Sequence, residues 1–159
     1  MIFLTVGTHS QQFNRLLRKI DELIENKAIK AKVVAQIGNS DYRPKNYTWY
    51  KFVGERKMQN LYKNSRLVIM HAGVGSIITS LGYKKPTIVV PRLEKFGEHI
   101  NDHQLQIAKV FEHQHKVLAC YDINDLSIAI KKGFKFKPKT SKKQPKMIKI
   151  IQRFLLDLQ

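Results

Sequence analysis

The chain has 159 residues, 43% hydrophobic and 26% charged, the composition of one globular domain with a core of its own. No apolar run approaches the roughly 20 residues of a membrane-spanning helix, and the opening MIFLTVGTHS is too short, and lacks the basic leader, for a secretion signal. Lysine and arginine outnumber acids by 29 to 12, a formal +17, which leaves the fold open but favours partners bearing negative charge: phosphates, nucleic acid, an anionic membrane surface or an acidic protein.

Residues 1–6 (MIFLTV) are an apolar run ending at Gly7 and read as a buried strand followed by a turn. Phe13, Leu16, Leu17, Ile20, Leu23 and Ile24 then recur three and four apart, as on an amphipathic helix. AKVVAQIG (31–38) is a second buried strand, SDYRPKN a polar loop, and YTWYKFV (47–53) a third strand. Residues 55–64 read as a short helix with Met58, Leu61 and Tyr62 on one face. RLVIM (66–70) is a fourth strand, feeding a helix that starts near Gly75 and is ended by Lys85-Pro86, because proline lacks a donor and biases its predecessor away from the helix. TIVVP is a fifth strand, and a long loop, RLEKFGEHIN, leads to a helix over 102–113. KVLACY is a sixth strand, in which the lone Cys120 behaves as a small buried hydrophobe; a single cysteine excludes an internal disulfide and fits a reducing cytoplasm. Residues 123–132 form a last short helix.

Strands thus alternate with helices, which predicts an α/β fold: a Rossmann-like, doubly wound parallel sheet of about six strands, with ligands at the carboxyl ends of the strands. The domain is predicted to span 1–132. The stretch 131–149 carries nine lysines and no acid, so 133–147 reads as a Lys-rich connection. The closing IKIIQRFLLDLQ (148–159) reads as an amphipathic helix that packs on the domain or a partner, with an anionic membrane surface as the alternative.

Two segments carry chemistry. In HAGVGS, a strand spills through glycines into a helix, so several backbone N–H groups and the positive end of the helix dipole face outward, a place suited to a diphosphate. A tight strand–helix turn with no ligand is the plainer reading of the same residues. The motif is neither a P-loop, since GxxxxGK[ST] is absent, nor the dinucleotide fingerprint, which follows a first strand. In VPRLEKFGEHINDHQ, the residues Glu98, His99, Asp102, His103 and Gln104 crowd ahead of a helix, where Asp102 or Asn101 serves as a cap. Such a density of bidentate hydrogen-bonding groups suits a polyol such as a sugar. His99 and His103 are four apart, as in zinc helices, but the glutamate precedes the first histidine and no third ligand is evident, so no metal is expected.

Together, HAGVGSI, the proline-ended strand and GEHINDHQ resemble the C-terminal, donor-binding half of the GT-B glycosyltransferases of family 28. Within that family the chain is most similar to small soluble subunits of two-part UDP-sugar transferases, in eukaryotic dolichol-diphosphate and bacterial capsule or exopolysaccharide synthesis. VGTHSQQFNRLL fits the bacterial members. The resemblance covers roughly residues 1–130.

The resemblance implies that His71, Ala72, Gly73, Val74, Gly75 and Ser76 hold the nucleotide diphosphate. It places Val53 and Met58 by the uracil, and Arg92, Glu98, Asp102, His103 and Gln104 around the donor sugar. Gly7, Thr8 and His9 would face the cleft, with His9 a candidate general base. Thr79 stands where many relatives carry a ribose-binding glutamate, and a threonine cannot make that bidentate pair. The implied activity is inverting, metal-independent transfer of a hexose from a UDP-sugar, with no cofactor, to a lipid-diphosphate-linked saccharide. The chain would work with a membrane-anchored acceptor-binding subunit and sit peripherally at the cytoplasmic face. An accessory subunit without turnover is one alternative. A basic nucleic-acid-binding protein is another, although no nucleic-acid motif is present and the aromatics do not form a stacking platform with the lysines.

Overall fold

The computed structural model describes residues 1–139. The expected closing helix at 148–159 and most of the lysine-rich connection lie outside the described residues. Six strands form one sheet: β1 (Ile2–Thr5), β2 (Val33–Gln36), β3 (Thr48–Tyr50), β4 (Leu67–His71), β5 (Thr87–Val90) and β6 (Leu118–Ala119). Five helices connect or follow them: α1 (Asn14–Glu25), α2 (Glu55–Asn64), α3 (Val74–Gly82), α4 (His103–His113) and α5 (Leu126–Gly133). The sheet is parallel throughout, in the order β3-β2-β1-β4-β5-β6. This is the expected Rossmann-like α/β fold.

Alternation along the strands divides the core into two. Ile2 and Leu4 of β1 face the layer of α1 and α5, where Leu16, Leu17, Ile20, Leu126 and Ile130 are buried. Phe3 faces the other layer, with Leu61 and Tyr62 of α2, Ile77 of α3, and Ile107 and Phe111 of α4. Each such side chain contributes roughly 1.5–3 kcal/mol by leaving water. The long apolar runs of the central strands follow from burial on both faces.

The chain lays down β1, β2 and β3 in one direction and then returns to place β4 on the other side of β1. The connections therefore diverge between the carboxyl ends of β1 and β4, and a crevice opens there. The loop after β1 and the glycine turn after β4 form its two walls.

Several boundaries shifted: the second strand, expected over 31–38, keeps Val33–Gln36, and the third, expected over 47–53, keeps Thr48–Tyr50. The sixth strand, expected over KVLACY, keeps only Leu118 and Ala119, paired with Ile88 and Val89. Its start is taken up in closing α4: His115 is left-handed (φ 54°) and the Lys116 amide donates back to the Phe111 carbonyl. The helix read at 123–132 divides into a 3-10 turn, Ile123–Asp125, and α5; the Asp122 carboxylate accepts from the Asn124 amide in that turn. α4 starts at His103, with Asn101 Oδ1 accepting from the His103 amide at 3.2 Å, while Asp102 turns elsewhere. No helix among the described residues is long and apolar enough to cross a membrane.

Candidate functional site

The crevice holds an open cavity of about 470 Å³. Gly7, Thr8 and His9 line it from the β1 loop, Met58 and Tyr62 from α2, and Gly75, Ser76 and Thr79 from α3. Its floor is made by Thr5, Gln36 and His71, at the carboxyl ends of β1, β2 and β4. Eight residues predicted from sequence thus meet on one surface: Gly7, Thr8, His9, Met58, His71, Gly75, Ser76 and Thr79.

The glycine turn is built for close approach. Gly73 is the N-cap of α3, and the first helical hydrogen bond runs from the Ile77 amide to its carbonyl. The amides of Val74, Gly75 and Ser76 have no acceptor among the described residues, as expected of a first helical turn. Gly75 is exposed, and a β-carbon there would meet nothing within 4 Å. The Ala72 amide is different, because Gln104 Oε1 accepts it at 3.0 Å. Thr79 spends its hydroxyl hydrogen on the Gly75 carbonyl at 2.9 Å.

His71 explains two of the glycines. Its ring lies so close to both Gly7 and Gly73 that a β-carbon at position 7 would fall 2.5 Å from Cε1, and one at 73 would fall 2.2 Å from Nε2. Gly7 also sits at φ 76°, a conformation glycine adopts without strain. Burial, assisted by the nearby Arg92 charge, pushes the His71 pKa down to about 4, so the ring is neutral. Its Nδ1 has no partner at hydrogen-bond geometry, only a looser approach to the Thr5 backbone.

The second predicted cluster knits the loops beside the cavity together. Arg92 is 1% exposed and donates to the carbonyls of Val6, Gln11, Gln12 and Glu98 at 2.8–2.9 Å. Burial lowers its pKa to about 10, against the pull of Glu98, and it stays charged. Glu98 is fully buried and takes Arg15 in a two-point pair, at 2.9 and 2.8 Å, as well as the Leu93 amide. Gln104 Oε1 bridges the amides of Ala72 and Arg92. Arg92, Glu98 and Gln104, expected around a sugar, are buried, and their hydrogen bonds tie the loop after β5 to the β1 loop and the glycine turn. Asp102 accepts from the Glu94 amide at 2.9 Å and is exposed; His103 is half-exposed; neither lines the cavity. Val53 is half-buried and packs, like Met58, against the core on the α2 side, but does not line the cavity. No group of three or more His, Cys, Asp or Glu is gathered to hold a metal ion among the described residues.

His9 is exposed at the cavity mouth, with its ring stacked on that of His99. Partial burial, then the His99 and Arg92 charges, lower its pKa. Its Nδ1 accepts from the Gln11 amide at 3.4 Å, which leaves the proton of the neutral ring on Nε2. In that tautomer His9 offers a donor at Nε2.

Sequence reading missed Thr5 and Gln36, and it read His99 only with the polar cluster ahead of α4, not beside His9. Thr5 and Gln36 are the polar exceptions inside MIFLTV and AKVVAQIG, and a polar group near the end of a doubly buried strand is the signal that could have found them. Gln36 Nε2 donates to the Gly7 carbonyl at 3.3 Å and so helps hold the β1 loop.

Comparison with known proteins agrees with this fold. Residues 1–155 match the glycosyltransferase family 28 C-terminal domain. No curated protein matches the chain. The solved structure of ALG13 superposes with a TM-score of 0.61 at 22% identity, over 94% of this chain and 93% of that one. The glycotransferase of kitacinnamycin gives 0.63 at 17% identity, over 84% of this chain and 34% of its own. MurG of Acinetobacter baumannii gives 0.59 at 19% identity, over 82% and 40%. The chain thus spans about a third of the kitacinnamycin enzyme and nearly all of ALG13. With the match covering almost its full length, the chain belongs to the glycosyltransferase family 28 C-terminal domain family.

Proposed function

We propose that this chain is the donor-binding part of a glycosyltransferase that uses a UDP-sugar. The observation that carries the reading is the glycine turn: three amides at the start of α3 with no acceptor among the described residues, where Gly75 and Ser76 line a cavity at the switch point of the sheet. In this reading the diphosphate sits on the amides of Val74, Gly75 and Ser76, where the helix dipole favours negative charge. The uracil lies toward Val53 and Met58, and the ribose toward Thr79. Asp102 and His103, at the start of α4 and outside the cavity lining, are polar side chains that the sugar would reach beyond it.

Transfer then follows from electrostatics. As an acceptor hydroxyl attacks the anomeric carbon, the sugar–oxygen bond breaks and charge develops on the departing diphosphate. Fixed amides and the α3 dipole oppose that charge without reorganising, an effect often worth several kcal/mol of barrier. The cavity is open, so an acceptor-binding partner would complete the cleft and supply the base. A lipid-diphosphate-linked saccharide as acceptor, a membrane-associated partner, and a location at the cytoplasmic face extend the same reading, supported by the excess of 29 basic over 12 acidic residues.

Calorimetry and thermal shift with UDP and a panel of UDP-sugars, with and without EDTA, test it. Stabilisation by UDP that survives chelation, and that Gly75→Leu removes, is expected. Absence of any UDP response, together with salt-steep binding to DNA, would overturn it in favour of a basic nucleic-acid-binding protein.

A further inference from the structure

The buried side-chain polar atoms without a partner among the described residues are Gln11 Oε1, His71 Nδ1, Arg92 Nε and His99 Nδ1. All four belong to the cavity floor or to the loops after β1 and β5 that meet beside it. Native interiors leave few polar atoms unpaired, so a concentration of them in one place calls for an explanation. His99 and Gln11 are the two of these residues that are only half-buried. His99 keeps Nδ1 inside, and its ring lies against His9 with centroids 4.9 Å apart and planes inclined by 30°.

His9 is restrained from three directions. His99 covers one face of its ring, the Gln11 amide donates to its Nδ1, and Asn39 Nδ2 donates to its carbonyl at 3.0 Å. The charged and titratable groups that bear on it are His99 from the loop after β5, Arg92 from the end of β5, and His71 from the end of β4. Each of them, when cationic, repels a proton on His9. The stack adds to this, because two imidazoles at that spacing resist carrying charge together.

We propose that His99 is a positioning residue for His9: its stacked ring and the Gln11 amide together hold His9 as a neutral Nε2–H donor at the mouth of the cavity. The inference rests on the donor-binding reading for its purpose, which is to give the bound diphosphate a side-chain donor beside the amides of α3. A neutral donor suits that task because it keeps its proton throughout, as a general base cannot.

The test uses the full chain with isotope-labelled histidine. Long-range proton–nitrogen spectra report which ring nitrogen of His9 carries the proton, and a pH titration gives its midpoint. Wild type is expected to show Nε2–H at neutral pH and a midpoint below that of free imidazole. His99→Ala should raise the midpoint by about half a pH unit and abolish the ring-current shift on His9. His99→Phe should keep the ring-current shift while losing the charge contribution, and serves as the second variant should alanine perturb the loop. A wild-type Nδ1–H tautomer, or an unchanged midpoint in both variants, would overturn the positioning role. UDP titrations on the same samples separate this from the donor reading. His99→Ala should weaken UDP about three- to tenfold, and His99→Phe less. UDP affinity that ignores a shifted His9 midpoint overturns the diphosphate role, and wild type that binds no UDP at all overturns the donor reading while the tautomer result stands.

Discussion

Gln104 reaches from the first turn of α4 to the residue ahead of the glycine turn, where its Oε1 accepts the Ala72 amide at 3.0 Å. The same oxygen accepts the Arg92 amide at 3.1 Å, so one side-chain carbonyl closes the ends of β4 and β5 together. Gln104→Ala leaves two buried amides without an acceptor. Urea unfolding should show a loss of about 2–4 kcal/mol, and UDP should bind more weakly because the turn is no longer fixed. Gln104→Glu, which retains an oxygen but buries charge, should fall between.

The two glycines of the turn should behave oppositely. Gly73→Ala drives a β-carbon to within 2.2 Å of His71 Nε2, so the ring or the turn must move. Gly75→Ala meets nothing within 4 Å and sits in the first helical turn, so it should be neutral or stabilising by up to about 1 kcal/mol. Gly75→Leu should fold as well as wild type and lose UDP binding at least tenfold, because it projects where the diphosphate is proposed to lie. Thermal unfolding and UDP calorimetry on the three variants check the contrast.

How much of this was legible beforehand differs by element. The alternation of LVIM, HAGVGS and TIVVP announced both the parallel sheet and the turn, because burial on two faces and a strand–helix glycine junction are local patterns. The role of Arg92 and Glu98 was not legible. Whether an arginine in a loop faces a ligand or four backbone carbonyls depends on how the loops after β1 and β5 meet, and residues 11, 12, 15 and 92 are distant in sequence. The His9–His99 stack escaped for the same reason. The shortened β6 was hidden by a local competition, in which the closing turn of α4 consumed residues that an apolar run had assigned to a strand.

Arg15 and Glu98 should prove interdependent. Glu98 is fully buried, and the guanidinium of Arg15 is its sole ion-pair partner among the described residues. Arg15→Met strands that carboxylate and should cost about 3–5 kcal/mol. Arg15→Met combined with Glu98→Gln should recover part of the loss, a double-mutant cycle that urea titrations measure directly.

Acid stability should carry the mark of His71. Its pKa falls from 6.5 unfolded to about 4 folded, so between those values the unfolded chain binds more protons. Stability contributed by the neutral ring is complete above pH 6.5 and declines as pH drops toward 4, by about 3 kcal/mol in total. His71→Gln should flatten that part of the profile. Asp21 acts lower: burial would raise its pKa, but hydrogen bonds from Tyr42, Lys45 and Asn46 outweigh it and hold it below 3.8, so its contribution fades only under more acid conditions. Denaturant midpoints collected down to about pH 1.5 and up to pH 8 resolve the two windows.

The outermost strands, β3 and β6, have three and two residues. A foreign strand seeking to extend the sheet would find only a couple of rungs on either rim, too few to template growth. Sheet-to-sheet fusion and fibril seeding at these two rims are thereby discouraged, and a companion docking there gains more from side chains and loops than from lengthening the hydrogen-bonded ladder.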